Sequence, residues 1–328
     1  LVKVMNDIYR AVDSGSAVAL VGLDISAAFD AVNHRILLER LATEFGISGP
    51  PIQWIASYLA NRTFAVKVGT STSPTVLTNT GVPQGSVLGP ILFTSYVAPI
   101  GRLIDSFNIS YHKYADDTQL YTALKSSPQT ALDQLERCST ELQLWFWQND
   151  LLLNPDKSEV AFFGAWQRLC RMTLPQTVNI AGCAVQVSGT LKTLGVKLDS
   201  TLTFESHIND IIRACNFHIR ALRHLRRGLT KEVANTMACS IVGSRIDYCN
   251  SLLYGVSGKV LDKLQRVQNH LARVVCNVGL RDRHTIDLLR SLHWLPVRSR
   301  ITFKGLDPHV QGSQTWSTEL SRASSATG

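Results

Sequence analysis

Seven consecutive apolar residues, Ala17-Val18-Ala19-Leu20-Val21-Gly22-Leu23, run directly into an acid, Asp24. The run has the length of a buried strand and falls well short of the roughly 18 residues that a membrane span needs. A buried strand must satisfy its backbone through neighbours, so this segment commits the chain to a sheet within a core. With 45% apolar residues in 328, such a core is available, and the length suits two domains or one large domain with an appendage.

Local patterns organise the rest. Val4, Ile8 and Val12 recur at helical spacing up to Ser14, and Asn33 is placed to cap a helix through Ile36, Leu37, Leu38 and Leu41. A short helix is expected from Pro50-Pro51, then strands Thr63–Val68 and Thr75–Thr80 around a Gly/Ser/Thr turn. Gly81-Val82-Pro83-Gln84-Gly85-Ser86 reads as a tight loop, followed by one long apolar helix from about Leu88 to Ile104. Ile109–Tyr114 and Thr118–Thr122 read as a hairpin with Ala115-Asp116-Asp117 as its turn, and Ala131–Asn149 as a helix. Short strands are expected at Glu159–Phe163, Val178–Ile180, Ala184–Val187 and Thr193–Leu198, then helices over 206–227, 231–246 and 258–276. A domain boundary is placed near 200–205. The stretch 305–328 lacks periodicity and is expected to be a disordered tail.

Net charge is +8, but residues 201–304 hold 17 Lys and Arg against 7 Asp and Glu, which points that part toward a polyanion. The seven cysteines form no Cys-x-x-Cys pair and read as reduced thiols of an intracellular, non-secreted protein, in nucleus or cytoplasm. The chain does not begin with Met, and Leu1-Val2-Lys3-Val4 reads as mid-helix, so a piece of a longer polypeptide is expected.

Taken alone, an Asp-Asp pair in a turn is usually solvated, and an Asp after a strand is usually a cap. Together, Asp24, Asp116 and Asp117 would repel one another unless a cation lay between them. Two divalent ions about 3.5–4 Å apart on such carboxylates can drive an in-line phosphoryl displacement, and hard Mg²⁺ suits carboxylate oxygen.

The order of five motifs then carries a resemblance. Asp24-Ile25-Ser26-Ala27-Ala28-Phe29-Asp30, Gly81 through Pro90, Tyr114-Ala115-Asp116-Asp117, Asn154-Pro155-Asp156-Lys157 and Leu194-Gly195-Val196 closely resemble the successive motifs of reverse transcriptases, best those of non-LTR (LINE-type) retrotransposons. The stretches Arg245–Asn250 and Leu292–Val297 resemble the thumb and post-thumb part of such elements. The resemblance spans roughly residues 1–304.

It implies an α+β fold: a polymerase palm with a small antiparallel sheet backed by helices and residual fingers over 1–204, and a basic helical thumb and post-thumb over 205–304. It implies an RNA-directed DNA polymerase, with an RNA template, a DNA primer and a dNTP as partners and no membrane. Asp24, Asp116 and Asp117, with the Ile25 carbonyl, would hold two Mg²⁺ ions, with Mn²⁺ as an alternative. Phe29 would exclude a 2′-hydroxyl, Gln84 and Gly85 would face the nucleotide and template, and Lys157 the triphosphate. Leu194, Gly195 and Val196 would grip the primer, and Arg220, Arg223, Arg226 and Arg227 would meet phosphates. Each also has a plainer reading: core ring, ordinary turn, exposed lysine, simple strand, solvated helix face. Most of the fingers expected ahead of Asp24, and the endonuclease domain such elements carry, are not visible in these residues. A catalytically inactive nucleic-acid-binding remnant is therefore one alternative, and an RNA-dependent RNA polymerase another.

Overall fold

The computed structural model describes residues 1–125, 127–279 and 284–305. In chain order the elements are α1 Val2–Asp13, β1 Ala17–Ser26, α2 His34–Thr43, α3 Pro50–Leu59, β2 Arg62–Phe64, β3 Lys67–Val68, β4 Ser71–Thr72, β5 Val76–Thr78, α4 Gly89–Tyr96, α5 Ile100–Asp105, β6 Ser110–Tyr114, β7 Asp117–Leu124, α6 Pro128–Gln148 and β8 Leu152–Phe163. They continue with α7 Trp166–Arg171, β9 Thr177–Ile180, β10 Cys183–Gln186, β11 Thr190–Thr193, β12 Val196–Asp199, α8 Glu205–Leu225, α9 Lys231–Ala238, α10 Ser244–Asp247, α11 Gly258–Cys276, α12 Thr285–Ser291 and α13 Val297–Gly305. The described residues divide into two compact units, one drawn from 17–162 and 169–189, the other from 1–16, 163–168, 190–279 and 284–305.

The first unit is built around the apolar run. The sheet order is β6-β7-β1-β8, so β1 lies inside it, and residues 17–21 are all buried. β7 is antiparallel to both β1 and β6. Against the sheet packs a core that includes Phe93, Tyr96, Ile100, Ile104, Leu135, Leu142 and Phe146. Asn33 caps α2 as its position predicts: its Oδ1 accepts from the N–H groups of Arg35 and Ile36, at 3.0 and 3.2 Å.

The structure corrects several expectations from the sequence. The apolar stretch 88–104 is two helices, α4 and α5, because Pro99 has no N–H to continue the ladder and disfavours helical backbone at Ala98. Lys113 helps close that break, its Nζ donating to Val97 O at 3.2 Å. Asp117 is not a turn residue: it opens β7 and pairs with Tyr114, leaving a two-residue turn at Ala115-Asp116. Residues 193–198 are not one strand, because Leu194-Gly195 forms the turn of the β11–β12 hairpin.

In the second unit, α8 and α11 pack together on buried Cys215, Ile219, Leu264, Leu271 and Val275. The helix expected over 231–246 is interrupted at Cys239–Gly243 by a π-helical segment between α9 and α10. No described helix is long and apolar enough to cross a membrane. The seven cysteines are free. The tail expected over 305–328 lies, after Gly305, outside the described residues.

Candidate active site

The end of β1 and the β6–β7 turn meet. The antiparallel register pairs Leu23 with Thr118, so Asp24 comes alongside Asp117, and Asp116 stands beside it in the turn. Ala115 reaches this turn at φ 54°, a left-handed conformation that β-hairpin turns use and that glycine normally supplies. Asp117 retains solvent access, yet its carboxyl is pushed above the usual carboxylate range, by partial burial first and then by the negative charges of Asp116 and Asp24. No Lys or Arg pairs with any of the three among the described residues.

Hard carboxylate donors with no counter-charge fit a divalent cation. Among the described residues no three acidic, His or Cys groups converge on a point that would hold a metal ion. Ile25 buries its side chain in the core, which leaves its carbonyl as the polar group it can offer.

β8 is tied to the same point. Ser158 Oγ accepts from Asp24 N at 3.4 Å and donates to Asn154 O at 2.9 Å, bracing the Asn154–Lys157 stretch against the acid-bearing strand. Lys157 itself is exposed.

The segment after Asp24 and the Pro83 loop are locked together. Val82 N donates to Phe29 O and Gly81 N to Val32 O, both at 2.7 Å. His34 Nε2 donates to Gly81 O at 2.7 Å. The Gln84 amide donates to both carboxylate oxygens of Asp30, at 3.2 Å each. Ser86 Oγ donates to Pro83 O at 2.7 Å and accepts from Gly89 N at 2.9 Å. A Cβ on Gly81 would lie 2.9 Å from Asp30 O, and Gly81 also has φ +88°, so glycine is required there on two counts. The ring of Phe29 is half-buried and packs on Phe93 with centroids 5.0 Å apart.

Asp24, Ile25, Phe29, Gln84, Gly85, Asp116, Asp117 and Lys157 thus share one unit, and the structure adds Asp30, His34 and Ser158 to them. Asp30 closes the first motif and Ser158 follows Lys157. Their place in those motifs was the available signal, but only long-range contacts show what they hold.

The remaining candidates belong to the other unit. Leu194, Gly195 and Val196 are the turn and first strand residue of the β11–β12 hairpin. Arg220, Arg223 and Arg227 are exposed on α8 and just beyond it. Arg223 touches His270 of α11. Partial burial and then the charges of Arg223 and Arg273 depress the His270 pKa, which favours the neutral imidazole beside the arginine. Arg226 differs: its Nε donates to Val275 O at 2.9 Å and its Nη1 to Leu229 O at 2.7 Å, which commits it to the local fold.

The pattern of the family described as reverse transcriptase (RNA-dependent DNA polymerase) matches residues 4–198. The chain belongs to the reverse transcriptase family. It is 30% identical over 309 residues to a Drosophila melanogaster protein described as probable RNA-directed DNA polymerase from transposon BS, covering 92% of this chain and 33% of that protein. It is 31% identical over 278 residues to the RNA-directed DNA polymerase from mobile element jockey of the same fly, covering 81% and 29%. The relatives are non-LTR transposon polymerases, so the LINE-type branch read from the motifs is the one its relatives occupy. The chain spans about a third of the length of these relatives. Among solved structures, apo telomerase from Candida tropicalis is similar at TM-score 0.46 and 11% identity, over 97% of this chain and 56% of that one. Members of the reverse transcriptase family use divalent metal ions.

Proposed function

We propose that this chain carries the polymerase centre of a LINE-type retrotransposon, adding a dNTP to the 3′-hydroxyl of a DNA primer under direction of an RNA template. In this reaction the primer oxygen attacks the α-phosphate and pyrophosphate leaves. The observation that carries the reading is the meeting of Asp24 with the Asp116-Asp117 turn, where the carboxylates act on one another with no cation side chain paired to them among the described residues.

Asp24, Asp116, Asp117 and the Ile25 carbonyl would hold two Mg²⁺ or Mn²⁺ ions, which when bound supply activation of the attacking oxygen and stabilisation of the leaving one. Phe29, fixed from behind by Phe93, would fill the space a ribose 2′-hydroxyl needs. Gln84 and Gly85, on a loop locked to Asp30 and Phe29, would face the nucleotide and template. Lys157 would meet the triphosphate as a charge or proton donor. Leu194, Gly195 and Val196 would grip the primer end, and Arg220, Arg223 and Arg227 would meet the phosphate backbone, with Arg226 shaping the surface that carries them. By motif, 1–204 acts as palm with residual fingers and 205–304 as thumb and post-thumb, although compactness groups the 190–199 hairpin with the helices. The protein would act inside the cell, where its RNA and primer are.

Primer extension on an RNA template with dNTPs and Mg²⁺ or Mn²⁺ tests this. Asp116→Asn is expected to cut extension by about 10³-fold, the scale of losing a key electrostatic group, with RNA binding unchanged. If wild type and Asp116→Asn extend equally little while RNA binding persists, the chain is a non-catalytic nucleic-acid binder. Strong use of NTPs by the wild type would instead make it an RNA-dependent RNA polymerase.

A further inference from the structure

The β11–β12 hairpin turns on two residues, Leu194 at φ 45° and Gly195 at φ 78°. Positive φ at both central positions is the mirror-image turn that suits the twist of paired strands. Glycine adopts it freely, but leucine does not. A leucine held there needs something outside the turn to keep the conformation.

Tyr248 is placed to do so. Its hydroxyl donates to Leu194 O at 2.6 Å. Its ring lies against the next residue, since a Cβ on Gly195 would be 3.5 Å from Tyr248 Cε1. One side chain therefore fixes the turn in two directions, by a hydrogen bond at Leu194 and by contact at Gly195.

Tyr248 is itself anchored. It caps α10, its N–H donating to Ser244 O at 2.9 Å. The preceding Asp247 is held by three donors: Arg300 Nη1 at 2.7 Å and Asn250 Nδ2 at 3.2 Å on its carboxylate, and Lys304 Nζ at 2.9 Å on its carbonyl. Arg300 and Lys304 both lie on α13. A chain of contacts thus runs from α13 through Asp247 to Tyr248 and on to the hairpin, all in the same compact unit.

We propose that Tyr248 is the positioning residue of the primer grip, and that α13 sets its place through the Arg300–Asp247 pair. This rests on reading Leu194-Gly195-Val196 as the primer grip. Tyr248 touches no reacting atom. It acts by fixing the height and tilt of the turn that meets the primer end, so changing it alters primer handling and leaves nucleotide chemistry alone.

The test is Tyr248→Phe, which keeps the ring and removes only the hydroxyl. Primer–template affinity by fluorescence anisotropy is expected to weaken roughly five- to tenfold, the scale of one lost hydrogen bond. KM for dNTP and the thermal midpoint are expected to stay near wild type. Arg300→Ala is expected to reproduce the affinity loss, and Arg300→Lys to restore part of it. Gly195→Ala, strained by its φ, is the control on the hairpin. If Gly195→Ala weakens primer–template binding and Tyr248→Phe does not, the role of Tyr248 is overturned and the primer-grip reading stands. If Gly195→Ala also leaves that affinity intact while Asp116→Asn abolishes extension, the primer-grip reading falls and the proposal with it. A clear fall in thermal midpoint accompanying the affinity loss in Tyr248→Phe would show a merely structural tyrosine and overturn the proposal.

Discussion

At the scale of single residues, the candidate site is held by backbone positions as much as by side chains. Gly81 is the clearest case: a methyl group there meets Asp30 O at 2.9 Å, in a left-handed conformation that alanine resists. Gly81→Ala is expected to cost about 2 kcal/mol or more, combining a left-handed penalty with a displaced neighbour, and a urea midpoint measures it. Because Gly81 and Val82 hold Val32 and Phe29, the same change is expected to loosen discrimination against NTPs as well as stability. Phe29→Ala is expected to raise NTP incorporation about tenfold or more by opening the space under the sugar, roughly 1.4 kcal/mol of lost discrimination, and parallel dNTP and NTP extension measures it. The identities of these residues were legible in the sequence, from Asp24 through Phe29 to Gln84. The hydrogen bond of Gln84 to Asp30 was not, because 54 residues separate them and no local pattern records the pairing.

Elements were legible where their signal was local. β1, α2, α3 and α6 follow from an apolar run, an Asn cap, a Pro start and a periodic apolar face. Among the expectations that failed, those at 88–104 and 193–198 failed at Pro99 and at Leu194-Gly195. In the first a proline without an N–H ends the ladder, and in the second a two-residue turn at positive φ splits the strand. How elements join is a tertiary matter, and Arg40 of α2 illustrates it. Its guanidinium donates to Tyr96 O and, at 2.7 Å, to Asn149 Oδ1, and lies 5.1 and 5.3 Å from the ring centroids of Tyr96 and Trp145. One side chain thereby pins α2 to the ends of α4 and α6. Arg40→Ala is expected to cost about 2–4 kcal/mol, because partly buried acceptors and two ring faces lose their partner together, and chemical denaturation reads the loss directly.

For the molecule as a whole, the uneven charge is the feature that sequence arithmetic reads best. The basic helices offer Arg220, Arg223 and Arg227 to solvent while Arg226 is spent on carbonyls. Replacing the first three together by Gln is expected to reduce the slope of log K against log salt by about 2–3, roughly 0.7–0.9 for each phosphate contact. Arg226→Ala is expected to lower the thermal midpoint and leave the slope almost unchanged. A titration of RNA binding between low and physiological salt separates the two kinds of arginine. Equal slopes for the triple variant and wild type would remove these residues from the nucleic-acid surface.

The sequence by itself determined the chemistry available to this chain: three carboxylates, an aromatic five residues after the first, a Gly-rich loop and a basic C-terminal part, in the order of a reverse transcriptase. It could do so because residue type and motif order are written along the chain. Only the tertiary structure decided that Asp24 lies beside Asp117, that Ser158 braces Asp24 from 134 residues away, that Arg226 faces inward, and that Tyr248 holds the 194–195 turn. Those contacts arise from strand register and helix packing, which bring together groups whose separation along the chain carries no trace of their meeting.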